Sequence, residues 1–263
     1  MSEEDLSEPN EIETVEEDAD AAPGDVESEV PRELTDADRA KLSELDEEIA
    51  KFEGQKRWSD VVRRVLAKVD IVVDQAEQVA LLRQAGMLYL ERSSNQAEAI
   101  KCFERLLKLE PRNTGALTRL EQMYEKRRDW EKLVRVRQQA AELMDELDRP
   151  LVYLEIAKLA SQRLRKPQVC IELWQQVLGV DSENPEALEE LSTLYERSRE
   201  WEPLAKVLEQ ISQGERNEAT LKQQLQKLGT IYADKIGDDS AAVHAFQRLL
   251  ELDPEDRRAQ EQL

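Results

Sequence analysis

Aromatic residues make up only 5% of this 263-residue chain, and Gly and Pro number 8 and 9. A sequence so short of ring and turn residues is poorly equipped for sheets and tight hairpins. Histidine occurs once, at His244, and cysteine twice, at Cys102 and Cys170. Two distant thiols form neither a disulfide framework nor a paired metal-binding spacing, and a reducing cytoplasm is the expected compartment. No run approaches the roughly 20 apolar residues that a membrane-spanning helix needs, so membrane insertion is not expected. The opening MSEEDLSEPN has neither the basic nor the apolar stretch of a secretory signal. Phosphate-cradling glycine loops, G-x-S-x-G elbows and H-E-x-x-H helices are all missing, so no catalytic, cofactor or metal residues are proposed.

What the chain has in quantity is Leu, Glu, Arg, Gln, Ala and Lys, the residues of helices, with 40% hydrophobic content. The net charge of −21 is unevenly spread, because residues 1–36 hold fifteen acids against Arg32 alone. The rest of the chain carries only −7, ordinary for a folded domain, and lacks the cationic surplus that nucleic-acid binding requires. Residues 1–34 are therefore expected to form a disordered acidic tail, too poor in apolar surface to offset the entropy of ordering. Residues 35–263 are expected to be helical, with Thr35 capping the first turn.

Sliding the sequence against itself exposes a period. Trp58, Trp130 and Trp201 recur at spacings of 72 and 71, each after a basic run (GQKRW, KRRDW, RSREW). Phe103, Trp174 and Phe246 run in step, as do Gly86, Ala157 and Gly229, and Leu82, Tyr153 and Leu225. Fixed-period self-similarity marks a repeat architecture, whose units bury their apolar faces only by stacking on one another.

Each long period divides into two units of about 35 residues. The odd units carry Leu82, Gly86 and Tyr89, then Ala99, Phe103 and Pro111; the last has Leu228, Gly229, Tyr232, Ala242, Phe246 and Pro254. This pattern resembles the tetratricopeptide repeat. The resemblance implies an all-α, right-handed solenoid of stacked helix hairpins, about five pairs, with a final unit cut short after Pro254. Even units keep the first-helix pattern (Ala116, Leu117, Leu120, Tyr124; Ala187, Leu188, Leu191, Tyr195) but place Arg137 where an aromatic is usual.

In that family the first helix of each pair lines a concave face that takes extended peptides or helices. The resemblance places Arg83, Met87, Arg119, Gln122, Leu154, Lys158, Glu189, Thr193, Gln226 and Thr230 there, grading from positive to negative. Members that clamp a terminal carboxylate use paired Lys and Asn, and this chain offers Arg83 and Met87 instead. The implied function is a non-enzymatic adaptor that binds other proteins, read as cytoplasmic and bacterial.

Other readings compete with these. A row of Trp and Phe could stack bases, but repeat-spaced aromatics are what interhelical wedges require. Basic clusters at Lys56–Arg57, 126–128, 163–166 and 197–199 suit helix C-termini, and stacking would also gather them on one edge that could receive the acidic tail. An RNA-processing scaffold of the half-a-tetratricopeptide type, or a regulatory module of a longer protein, are the alternatives. Cys102 and Cys170 read as core, with Lys101 as the one neighbour that could lower a thiol's pKa.

Overall fold

The computed structural model describes residues 33–262. The expected acidic tail lies almost wholly outside them. Among the described residues there is no strand, and thirteen α-helices follow one another with short connections. They are α1 (Asp36–Gly54), α2 (Trp58–Val69), α3 (Gln75–Glu91), α4 (Gln96–Leu109), α5 (Thr114–Arg127), α6 (Trp130–Ala141) and α7 (Arg149–Arg163). After these come α8 (Pro167–Val180), α9 (Pro185–Ser198), α10 (Trp201–Gly214), α11 (Glu218–Ile231), α12 (Asp239–Leu252) and α13 (Arg257–Glu261). Each helix packs on its chain neighbours, the signature of a solenoid. Six complete hairpins result, one more than the sequence pattern suggests, because α1 and α2 pair as well although they lack the Gly-Tyr-Phe set.

The starts of the helices follow from local chemistry. Thr35 Oγ1 accepts from the Asp38 amide at 3.1 Å while the Asp38 carboxylate accepts from the Thr35 amide, a reciprocal capping box. Asp74, Asn95, Asn113, Asp129, Asn184, Asn217, Asp238 and Asp256 each cap a later helix through the side-chain oxygen. The second-to-first-helix turns at 110–113, 181–184 and 253–256 share one form, in which the first residue's carbonyl accepts the amide three residues on. The opposite corners repeat too. Lys56, Arg128 and Arg199 all take positive φ (57°, 56° and 58°), two residues before Trp58, Trp130 and Trp201. A non-glycine residue pays roughly 1–2 kcal/mol for that left-handed conformation.

Burial follows the helical stripe. In α2 the buried residues are Val61, Val62, Val65 and Val69, and in α4 they are Ala99, Ile100, Cys102, Phe103 and Leu106. The buried core runs in overlapping stretches, one from Val61 to Val136, a second from Val134 to Ala245 and a third from Leu225 to Ala259.

Candidate functional site

The repeat's aromatic wedges set the distance between paired helices. A Cβ built on Gly86 would lie 2.8 Å from the Phe103 ring, and one on Gly229 would lie 2.6 Å from Phe246. Both positions therefore demand glycine for close approach. The middle copy uses Ala157 with Trp174, both buried, and the indole Nε1 donates to Ser161 Oγ at 2.8 Å. Where the even unit lacks an aromatic, Arg137 Nε donates to Glu121 Oε1 at 2.8 Å, so an ion pair joins α5 to α6 in place of a ring.

The first-helix tyrosines reach back to the preceding hairpin. Tyr124 donates to Glu104 at 2.6 Å and Tyr232 to Glu209 at 2.7 Å, while Tyr195 accepts from Gln175 Nε2 at 2.7 Å. Burial and the carboxylate acceptor push the Tyr124 and Tyr232 hydroxyls well above the ordinary tyrosine range. Burial works against the charge of Glu104, but donation from Lys132 and Tyr124 outweighs it and holds the carboxyl below its usual range.

Against this frame the groove opens over α3, α4 and α5. Arg83, Met87 and Arg119 line one hollow of about 550 Å³ together with Phe103, Leu106, Glu110, Arg112 and Ala116. Its floor is apolar and its rim carries three exposed arginines, none with an ion-pair partner among the described residues. Arg119 also borders a neighbouring hollow of about 300 Å³, which takes in Gln122, Met123 and Lys126. Farther along, Gln226 and Thr230 line a third with Trp201 and Lys227, and Glu189 lines a fourth, of about 900 Å³, between α9, α10 and α11. Gln223 and Lys227 join those last two.

The remaining sequence candidates sit differently. Lys158 on α7 is bound to Glu186 on α9 at 2.7 Å, so the charge gradient inferred along the groove is interrupted by an internal pair. Leu154 packs against the second core stretch, and Thr193 is exposed on α9. Arg112 lines the same hollow as Arg83, Met87 and Arg119 although the first-helix register does not reach it; it precedes the capping Asn113, a turn position that helical periodicity cannot rank.

The corner tryptophans are half-buried, and a cation sits over each ring: Arg92 over Trp58 at 4.9 Å, Arg163 over Trp130 at 5.1 Å, and Lys235 over Trp201 at 6.0 Å. These cations recur at 71 and 72 residues, a further series in step with the earlier ones. They are the repeat's own partners for the rings. Lys166 of the basic runs is paired with Glu131, whereas Lys126 and Arg127 occupy the last turn of α5. The contact of these runs with the acidic tail lies outside the described residues.

Both cysteines are buried and free. Burial pushes the Cys102 thiol up to about 11 and raises that of Cys170, while Lys101 is engaged by Glu98 at 2.7 Å. The opening toward a reactive thiol beside Lys101 is therefore closed. His244 is exposed on α12. Among the described residues no group of three or more His, Cys, Asp or Glu is arranged to hold a metal ion, and no helix is long and apolar enough to cross a membrane.

These features define an α-solenoid of stacked helix hairpins with a segmented groove on its first helices. Residues 79–113, 116–151 and 225–256 each match the tetratricopeptide repeat. The chain is thus a tetratricopeptide-repeat protein over these three stretches, and arrays of such helix pairs serve as protein-interaction scaffolds. Among solved structures it is similar to MamA at 17% identity, over 66% of this chain and 96% of that one, with a TM-score of 0.33. It is similar to YrrB, described as a TPR protein with an unusual peptide-binding site, at 11% identity over 70% and 90%, TM-score 0.33. PilF of Pseudomonas aeruginosa aligns at 16% identity over 86% and 97%, TM-score 0.32. No curated protein matches the chain.

Proposed function

We propose that the chain is a non-enzymatic adaptor that takes peptide or helical segments of partner proteins into its first-helix groove, with an acidic stretch gripped over α3–α5. The observation that carries this reading is the 550 Å³ hollow, whose apolar floor of Met87, Phe103 and Leu106 is rimmed by the unpaired Arg83, Arg112 and Arg119. A partner side chain buried on that floor supplies affinity, and a carboxylate among the arginines fixes direction through bidentate hydrogen bonds. The high thiol pKa of Cys102 favours binding over nucleophilic chemistry, and two free thiols suit a cytoplasmic setting. Cations over the Trp rings leave less room for the stacked bases of an RNA scaffold. The acidic residues 1–31 compete with an acidic peptide through the basic runs at the helix ends, so removing them should raise affinity for that peptide at low salt.

The test uses short synthetic peptides that each carry one leucine in an acidic, a basic or a neutral background, titrated by fluorescence anisotropy. Wild type should favour the acidic peptide, and Arg83→Glu with Arg119→Glu should weaken it by about tenfold or more. Indifference of all three peptides to that double substitution rejects the groove.

A further inference from the structure

A second surface, with chemistry opposite to the groove, lies where α6 turns into α7. Elsewhere a second helix reaches the next first helix through a compact turn with a side-chain cap, as at 110–113 and 181–184. Between α6 and α7 the connection lengthens to residues 142–148, and Asp148 makes no side-chain cap bond to α7. This irregular corner carries most of the large apolar side chains that the described residues leave in water. Leu147 is 91% exposed, Leu151 67% and Met144 41%, all within eight residues. Val180, 44% exposed, ends α8, whose C-terminus lies beside the start of α7 in their antiparallel hairpin.

Leaving three such side chains together in water is unfavourable, and clustered apolar exposure of this kind marks an interaction surface. The rim is acidic. Glu142, Asp145, Glu146 and Asp148 are exposed, and none is in an ion pair among the described residues. Arg149, in the same segment, is turned inward: its Nη2 donates to the Met144 carbonyl at 2.9 Å and its Nε is buried. Apolar centre and anionic rim together specify the occupant.

We infer that the α6–α7 corner docks an amphipathic helix of a partner protein, apolar on one face and flanked by Lys or Arg. A second copy placed by a two-fold axis would set the same four carboxylates against themselves, which is repulsive. An anionic lipid surface and the chain's own acidic segment meet the same repulsion. A basic amphipathic helix instead buries its apolar anchors on Leu147 and Leu151 and places its cations on the rim, the arrangement in which a few central anchors carry most of the affinity. None of these residues lines the hollows of the groove, so this surface stands apart from the α3–α5 site.

The probe is a synthetic Leu/Lys amphipathic helix, with a Leu/Glu twin of the same spacing, titrated against the full chain. The Leu/Lys helix should bind, the twin should not, and affinity should fall about tenfold or more both in Leu147→Ser/Leu151→Ser and in Asp145→Lys/Glu146→Lys. The exposed positions keep the circular dichroism melt of each variant close to wild type. Arg83→Glu/Arg119→Glu should bind the Leu/Lys helix as wild type does, so failure of the groove and failure of this corner read out separately. Equal binding by wild type and both corner variants, or no binding at all, overturns the inference. So does self-association in sedimentation, or flotation with phosphatidylserine vesicles, that the Leu147→Ser/Leu151→Ser change abolishes, since a second copy or a membrane is then the occupant.

Discussion

The α3–α5 unit and the α7–α9 unit share one helix order 71 residues apart, and their rims differ in sign. Where the first has Met87 and Gly115 lining an open hollow, the second has Lys158 and Glu186, joined at 2.7 Å across from α7 to α9. Arg112 and Arg119 of the first become Glu183 and Glu190 in the second, and Arg83 becomes Leu154. Beneath them the wedge changes from Gly86 with Phe103 to Ala157 with Trp174. The same helix order thus carries a cationic rim in one place and, in the other, an acidic rim around an internal Lys158–Glu186 pair. Core positions decide that a hairpin forms, while rim positions decide what the hairpin offers to a partner.

The comparison can be broken first at the wedge. Gly86→Ala and Gly229→Ala push a methyl into a ring at 2.8 and 2.6 Å. Denaturant unfolding should register a loss of about 1–3 kcal/mol for each. Ala157→Gly, which copies the outer units into the middle one, should cost only about 1 kcal/mol through helix propensity. Equal costs at all three positions would mean that the wedges do not set the hairpin spacing.

Transplanting the rim comes next. Met87→Lys with Gly115→Glu carries the α7–α9 pair into the first unit, and should lower acidic-peptide affinity about tenfold while stability changes by less than about 1 kcal/mol, as expected of exposed pairs. Unchanged affinity would detach the hollow from binding.

The smallest effect concerns the tyrosine contacts, where Tyr124 meets Glu104 but Tyr195 meets Gln175. Because Lys132 and Tyr124 depress the folded pKa of Glu104, its contribution is complete above the unfolded carboxylate value of about 4.3 and is lost as pH falls through the folded value. Glu104→Gln, which makes the first contact resemble the second, should flatten the acid limb of the stability profile. An unaltered acid limb would show that the bond is energetically silent.

Much of the fold is legible in the sequence because the stacking constraint acts on large side chains: Phe103, Trp174 and Phe246 return at 71 and 72 residues because each must fill the same wedge. The Arg92, Arg163 and Lys235 series carries the same period, yet it hides among many surface cations and only the rings beneath it give it meaning. The α1–α2 hairpin is signalled in the repeat pattern by Trp58 alone, because it lacks the glycine wedge. Register along the first helices groups Arg83, Met87 and Arg119, and all three line one hollow. It cannot foresee that Lys158 is held by Glu186, because ion pairing depends on which residue faces across to the next first helix. Nothing in the repeat pattern singles out Leu147 and Leu151; their exposure emerges only with the lengthened α6–α7 corner in view.

The most direct measurement is photo-crosslinking of an acidic, leucine-bearing peptide to the full chain, followed by mapping of the attachment sites. Attachment within residues 83–87 and 106–119, and its loss in Arg83→Glu/Arg119→Glu, is the predicted result. Attachment confined to the second helices α2, α4 and α6, or spread evenly over the array, would contradict the account.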